Sequence, residues 1–387
     1  MLIIHLIPGL ICAYVLWRFV WPLPVRSGPK WLLGLVILLV SQHHLIGRTF
    51  FGTLASPEMP FAVLVMLGWL FGAYILLAVF LLFRDAAAIL FLLLRKAGIG
   101  FAFPFSGTRT SGFLLGGALA LSGYGVLQAV RVPDVRTVEV VLPRLPVELD
   151  GLRLVQLTDL HVSRLYQTPW VRAVVEKTNA LNPDLILITG DLIDGTPHDR
   201  SDDVSPLRDL KARLGVFAIP GNHEYYAEYR QWLSAFADLG LRMLLNGHVS
   251  IAEKGQTLVI AGVTDRTAAR IGAPMPDVHA ALAGVPKDAV IVLMDHQPRN
   301  ARMNAGTGVD LQLSGHTHGG QVLGLHLATR YANDGFVSGM YQIGRMQLYV
   351  SRGAGLWPGF PIRLGVPSEI TEIVLRSSPD KKMHAAP

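Results

Sequence analysis

Five short apolar runs, each ending in a side chain that can bind metal, constrain this 387-residue chain more than any other feature. The run 154–158 leads into Asp159, Leu160 and His161, and the run 185–189 into Gly190 and Asp191. Residues 216–219 lead into Pro220, Gly221, Asn222, His223 and Glu224, and residues 290–294 into Asp295 and His296. Residues 309–313 end in Ser314, Gly315, His316, Thr317, His318, Gly319, Gly320 and Gln321. Apolar runs of this length suit strands buried on both faces. Open α/β sheets collect their ligands at the carboxyl ends of such strands. His316 and His318, two residues apart, cannot share a helix face, but a glycine-rich turn can aim both into one pocket.

The donor types narrow the chemistry. They are carboxylates, imidazoles and one amide. The only cysteine, Cys12, lies in an apolar segment, so neither a disulfide framework nor a thiolate site is available. That mixture suits two divalent ions of the Mn, Fe or Zn type better than Ca or Mg. Asp159, His161, Asp191, Asn222, His296, His316 and His318 are too many for one tetrahedral site and about right for two ions sharing a bridge. Glu224 and Asp295 read as carboxylates that orient ligand imidazoles or as solvated neighbours. For Asp194, Asp265 and Arg352 a salt bridge or turn cap is expected ahead of a place in the substrate pocket. No Walker loop and no Gly-x-Ser-x-Gly elbow is present, so nothing supports nucleotide cradling by a P-loop or acyl hydrolysis by serine.

The first third is far more apolar than the rest. Four spans are expected: residues 2–21, 31–47, 61–83 and 112–130, of which 61–83 is the strongest and 31–47 the weakest. Residues 86–94 are too short to cross and lie at the interface or extend the third span. No charged n-region precedes the first span and no small-residue cleavage site follows it, so a retained helix is expected. His43, His44 and His5 read as polar helix ends near the headgroups. The net charge of +6 is modest and contains no dense basic run, which points to juxtamembrane arginines and membrane lipid, not nucleic acid. The Lys/Arg bias between loops predicts a multi-pass protein of the cell membrane with its soluble domain outside the cytoplasm.

The expected organisation is a membrane anchor over 1–130, a linker and entry strand over 131–150, a soluble domain over 151–376 and a polar tail over 377–387. Within it, 137–142 reads as an edge strand and 169–181 as a helix with Thr168 as N-cap and Pro169 at its first position. Residues 207–214 and 226–239 read as helices. Residues 247–263 read as a hairpin turning at Lys254 and Gly255. Residues 331–344 read as irregular, and 347–350 and 369–375 as late strands.

Taken together, Asp159-x-His161, Gly190-Asp191, Gly221-Asn222-His223-Glu224, His296 and Gly315-His316-Thr317-His318 resemble the calcineurin-like metallophosphoesterase superfamily. The continuation to Gln321, with Ser351-Arg352-Gly353 and Pro361-Ile362-Arg363, is similar to its membrane-anchored bacterial branch. The resemblance covers roughly residues 150–375. It implies a four-layer α/β/β/α sandwich behind the transmembrane region. It also implies one ion on Asp159, His161 and His318, a second on Asn222, His296 and His316, and Asp191 bridging both. A hydroxide between the ions would attack the phosphorus, and His223 would contact the phosphoryl oxygens and protonate the leaving group. The implied activity is hydrolysis of a phosphate ester, free or lipid-linked. One alternative is a pyrophosphatase acting on a nucleotide-linked lipid such as a UDP-diacylglucosamine. Another is a non-catalytic metal-dependent scaffold, against which stand the full ligand set and His223.

Overall fold

In the computed structural model, which describes residues 2–99 and 107–378, the chain divides into two compact units. Unit 1 comprises Met1–Gln128 and Pro358–Ile362; unit 2 comprises Ala129–Trp357 and Arg363–Pro387. Most of the tail expected over 377–387 lies outside the described residues.

Unit 1 is helical because its sequence is apolar on every face. Its helices are α1 (Leu2–Val15, continued as a π-turn over Leu16–Val20), α2 (Ser27–Ser41), α3 (His43–Phe50), α4 (Phe61–Lys96) and α5 (Thr108–Val130). The helices α4 and α5 are each long and apolar enough to cross a bilayer. The helices α2 and α3 meet at a 60° bend, forming a broken span or a re-entrant pair. The first apolar helix, described over His5–Val20, is shorter than a full span. Of the four expected spans, then, two stand out as full-length helices, and the break at Gln42 accounts for the weakness of the second. The run 86–94 extends α4. His43 and His44 stand at a helix end, the first turn of α3. Their rings stack 3.9 Å apart and pack on Phe71, and His44 Nε2 lies 2.7 Å from the Gly359 carbonyl oxygen. That carbonyl belongs to the apolar segment Pro358–Ile362, which belongs with the helices although 151–376 was expected to be one soluble domain.

Contacts inside unit 1 fix helix directions. Tyr74 donates to the Pro8 carbonyl, and Arg18 pairs with Asp85 at 2.7 Å, so α1 and α4 run the same way. Gln42 lies near His5 and Gly34 near Leu16, so α2 runs opposite to α1. Ser122 donates to the Trp69 carbonyl and Gly117 faces Phe80, so α5 runs opposite to α4.

Unit 2 holds two mixed six-stranded sheets. The first contains β1 (Asp134–Leu142), β2 (Arg153–Leu157), β3 (Leu185–Thr189), β4 (Val216–Ile219), β5 (Arg242–Met243) and β12 (Glu369–Ser377), in the order β1-β12-β2-β3-β4-β5. The second contains β6 (Gly247–Glu253), β7 (Gln256–Gly262), β8 (Val290–Met294), β9 (Leu311–Ser314), β10 (Gly339–Ile343) and β11 (Met346–Val350), in the order β10-β11-β9-β8-β7-β6. β2 to β5 are mutually parallel, as are β7, β8, β9 and β11. Alternate residues from both sheets meet in one core: Leu154, Leu185, Leu187 and Phe217 from the first, and Leu258, Val290, Leu311 and Tyr349 from the second. A strand shows successive side chains to opposite faces, so Val259, Ile291 and Leu348 fill a separate core beyond the second sheet. As expected, β1 is an edge strand, and the β6–β7 hairpin turns at Lys254 and Gly255, both at positive φ.

The helices are α6 (Thr168–Ala180), α7 (Pro197–Val204), α8 (Tyr229–Asp238), α9 (Val278–Ala281), α10 (Ala301–Asn304) and α11 (His326–Ala332). Four local expectations fail. Thr168 gives its hydroxyl to Asp202 and does not cap α6. Over 207–214 only a 3-10 turn, Ser205–Asp209, forms before the chain extends toward β4. The helix expected over 226–239 begins at Tyr229, because Glu228 adopts a left-handed conformation. Residues 331–344 contain the end of α11 and the strand β10. The unexpected α7 is capped by Thr196 with Pro197 at its start, a pairing that favours helix initiation.

Candidate metal centre

Five parallel strands deliver the site. β2, β3 and β4 of one sheet, and β8 and β9 of the other, end beside one another. Their following loops are knitted by backbone bonds: Asp159 to Gly190, His161 to Asp191, and Gly315 to His296. The loops turn sharply at the functional residues themselves. Asp159, His161, Asp191, His316 and His318 all have φ between 46 and 69°. A left-handed conformation costs a non-glycine residue energy, and such strain concentrates at functional sites. The glycines between them are forced by proximity. A methyl group on Gly221 would collide with the Asp191 carboxylate, and one on Gly315 with Thr158 and Asp159.

The expected residues converge. Asp159, His161 and His318 form one group with ligand atoms within 4.8 Å of one another, and Asp191, His296 and His316 form another. Asp191 lies between the groups: its Oδ2 is 3.2 Å from His296 Nε2 and 3.8 Å from His161 Nε2. Asn222 places Oδ1 3.2 Å from His296 Nε2 while its amide nitrogen donates to the Tyr226 hydroxyl, which aims the oxygen inward.

The surrounding bonds set each ring. His296 Nδ1 donates to the Thr189 carbonyl at 2.8 Å, leaving Nε2 as the free lone pair. His161 Nδ1 donates to Asp194 Oδ2 at 3.1 Å, which does the same for its Nε2. That His161 Nε2 and His318 Nδ1 are both buried without a hydrogen-bond partner. Buried polar atoms are almost always paired, so two orphaned imidazole nitrogens beside this carboxylate cluster are donors that divalent ions would satisfy. The donor set therefore fits divalent ions.

His223 stands at the edge. Its ring meets His161 edge-on with centroids 4.5 Å apart, and its Nδ1 bonds Asp194 Oδ1. Burial disfavours the protonated imidazole, but the Asp194 and Asp191 carboxylates outweigh it and raise its pKa to about 9. Burial pushes His316 down, to about 3, with the neighbouring His296 adding to the effect. Asp194 thus pairs with both histidines: the ion pair expected for it is made, but with two residues of the site. No local pattern in the sequence marks it; its only signal is falling three residues after Asp191 in the same loop.

Glu224 is fully buried and accepts backbone N–H groups from Gly221 (2.6 Å), Leu192 (2.7 Å), Asp191 (3.1 Å) and Ile193 (3.3 Å). It orients the backbone of two ligand loops, not an imidazole. Asp295 is held by Asn304 and Asn300 and touches no ligand ring. Asp265 caps the turn at Thr267, as expected. Arg363, which the residue pattern singled out without a role, is fully buried. It donates to the carbonyls of Arg352 and Gly355 at 2.9 Å and of Gly353 at 3.3 Å, pinning the loop that packs on Asp159.

A family model described as calcineurin-like phosphoesterase matches residues 152–320. The chain is 34% identical over 267 residues to a transmembrane protein with metallophosphoesterase domain from Danio rerio. That match takes in 67% of this chain and 61% of the fish protein, so this chain spans about three fifths of that relative's length. It is 35% identical over 266 residues to an uncharacterized metallophosphoesterase of Helicobacter pylori, covering 67% of this chain and 70% of that one. An uncharacterized metallophosphoesterase of Bacillus subtilis is 32% identical over 282 residues, covering 69% of this chain and 95% of its own length.

Proposed function

From the premise that the chain belongs to the calcineurin-like metallophosphoesterases, we propose that it is a membrane-bound hydrolase of phosphate esters. The observation that carries this reading is the position of Asp191, whose Oδ2 faces both His161 and His296. One carboxylate so placed would serve two ions, with Asp159, His161 and His318 holding one and Asn222, His296 and His316 the other. Divalent ions of the Mn, Fe or Zn type bound there supply acidification of water and neutralisation of phosphoryl charge.

The chain's own residues do the rest. His223 is held through Nδ1 by Asp194, so its Nε2 is the atom that faces a substrate. The Asp194 and Asp191 carboxylates favour its protonated form, which suits it to give a proton to the departing alkoxide. Glu224 and Arg363 fix the ligand loops so that the donors need not reorganise during reaction. The non-catalytic alternative is disfavoured by His223, which a purely structural metal site would not need.

The test is metal analysis of the purified full-length protein, coupled to a panel of phosphomonoesters, phosphodiesters and lipid pyrophosphates. Two metal equivalents per chain and metal-dependent release of alcohol are expected. Two bound equivalents with no hydrolysis of any ester would favour the scaffold reading.

A further inference from the structure

Beside the metal loop lies a cleft of about 410 Å³ within unit 2 that none of the assignments above uses. Arg330, Arg352, His326, Ser338, Tyr341 and Leu323 line it, and no carboxylate does. Arg330 is exposed, and its guanidinium makes no hydrogen bond or ion pair among the described residues. Arg352 meets Glu369 at 3.6 Å, but Glu369 also faces Arg136 at 3.4 Å, so positive charge remains in excess. His326 accepts the Gly324 N–H at Nδ1, which leaves its Nε2–H free to donate.

The cleft adjoins the metal centre through the backbone. Gly319, the residue after His318, forms part of its wall, and Gly353, the residue after Arg352, packs against Asp159. The loops that carry His318 and that pack on Asp159 thus also wall the cleft. Two arginines with planar donor forks and a donor imidazole, one arginine shared with Glu369 and the other with no side-chain partner among the described residues, match a phosphate or carboxylate.

Resting on the reading of the metal centre as a phosphoesterase site, we propose that Arg330 and Arg352 form a second-anion subsite. The substrate then carries a further phosphate or carboxylate on the alcohol side of the ester being cleaved. The same chemistry is available from a soluble bisphosphate or from a lipid headgroup. Leu323, which lines the cleft, and Leu327 and Tyr331 of α11, which also carries Arg330, are all largely exposed and would seat acyl chains in the second case.

Binding of α,ω-alkanediol bisphosphates of increasing length, and of alkyl monophosphates, is measured on the full chain in lipid nanodiscs, metal-loaded and metal-free. One bisphosphate length should bind about tenfold or more tightly than its monophosphate, equivalent to about 1.4 kcal/mol. Arg330→Gln, at an exposed position whose side chain has no partner among the described residues, should erase most of that margin, and Arg352→Gln should act in the same direction. A short-chain phosphatidylglycerol phosphate separates the sources. Tighter binding than the soluble bisphosphate, lost in Leu327→Asn, supports the subsite with a lipid ligand; equal binding supports it with a soluble one. Bisphosphates and monophosphates binding alike, or a margin unchanged in Arg330→Gln, would overturn the proposal. Hydrolysis of simple esters without any bisphosphate preference removes the subsite and leaves the phosphoesterase reading. A bisphosphate preference without any hydrolysis keeps the subsite and removes the catalytic reading.

Discussion

His161 Nδ1 donates to Asp194 Oδ2 at 3.1 Å, and this one bond leaves Nε2 of the ring facing Asp191. The second oxygen of Asp194 holds His223, so a single buried carboxylate orients an expected ligand and the expected proton donor together. Asp194→Asn should keep the fold but loosen both rings. Replacing a carboxylate that orients a ligand imidazole costs roughly 10–100-fold in metal affinity or activity. Metal titration followed by assay of the reloaded protein checks this. Unchanged affinity together with unchanged rate would reduce Asp194 to a buried spectator.

Asp191 faces both ligand groups, so Asp191→Asn should lose metal and activity together. Two-metal chemistry needs the nucleophile and the clamp at once. Metal stoichiometry by elemental analysis is the measurement. Two retained equivalents with near-normal turnover would require the two-metal reading to be dropped.

What the sequence made legible follows from range. The five apolar runs became β2, β3, β4, β8 and most of β9, because a strand buried on both faces leaves an apolar run as its signature. The eight residues singled out for the centre and its proton donor lie together because each sits at the end of such a run. Asp194 and Arg363 were harder to assign. Asp194 is polar yet wholly buried, and its partners lie some thirty positions away in either direction. Arg363 binds carbonyl groups, which leave no mark on the identity of the residues that bear them. Helix ends failed for local reasons such as the left-handed Glu228. The bend at Gln42 is visible in the sequence only as a polar interruption, Ser41 to His44, within an apolar run.

His223 also forms, with His161 and Asp194, a group whose ligand atoms lie within 4.8 Å of one another. If it serves as the proton donor, His223→Ala should keep both metals, and a large fall in metal content would make it a ligand instead. The rate should fall by roughly 10²-fold or more, as for removal of a general acid. The loss should shrink for esters with good leaving groups, which depart without a proton. A rate loss independent of leaving-group pKa would show that His223 acts on the phosphoryl group alone.

Glu224→Gln tests the backbone frame. The carboxylate accepts N–H groups from four residues, and an amide nitrogen in its place would face donors with another donor. Leaving buried groups unsatisfied costs about 1–3 kcal/mol, so the midpoint of thermal unfolding should drop clearly. Binding of metal should weaken as well, because Asp191 loses its N–H anchor. An unchanged midpoint would mean that the site tolerates a neutral acceptor.

The final prediction concerns sidedness. The helices α1 and α4 run the same way, and α2 and α5 run opposite to them, as the Arg18–Asp85 pair and the Tyr74–Pro8, Gln42–His5 and Ser122–Trp69 contacts require. Arg18, Arg26, Lys30, Arg84, Arg95, Lys96 and Arg109 therefore gather toward one end of the bundle. The other end has Arg48, with Arg131 and Arg136 just past α5. Short loops rich in Lys and Arg stay in the cytoplasm, so the end of α5, and unit 2 after it, should lie on the far side. The direction of α2, and not whether it crosses completely, returns the chain to the start of α4, so the bend at Gln42 does not change this assignment. On that side unit 2 would meet lipid headgroups, wall intermediates or scavenged esters. It would not meet a nucleotide-linked lipid made in the cytoplasm. C-terminal fusions decide: alkaline phosphatase, active only outside, should work, and a fluorescent protein that folds only inside should stay dark. A bright fluorescent fusion with an inactive phosphatase fusion would reverse the orientation and bring back the nucleotide-linked pyrophosphate as a substrate.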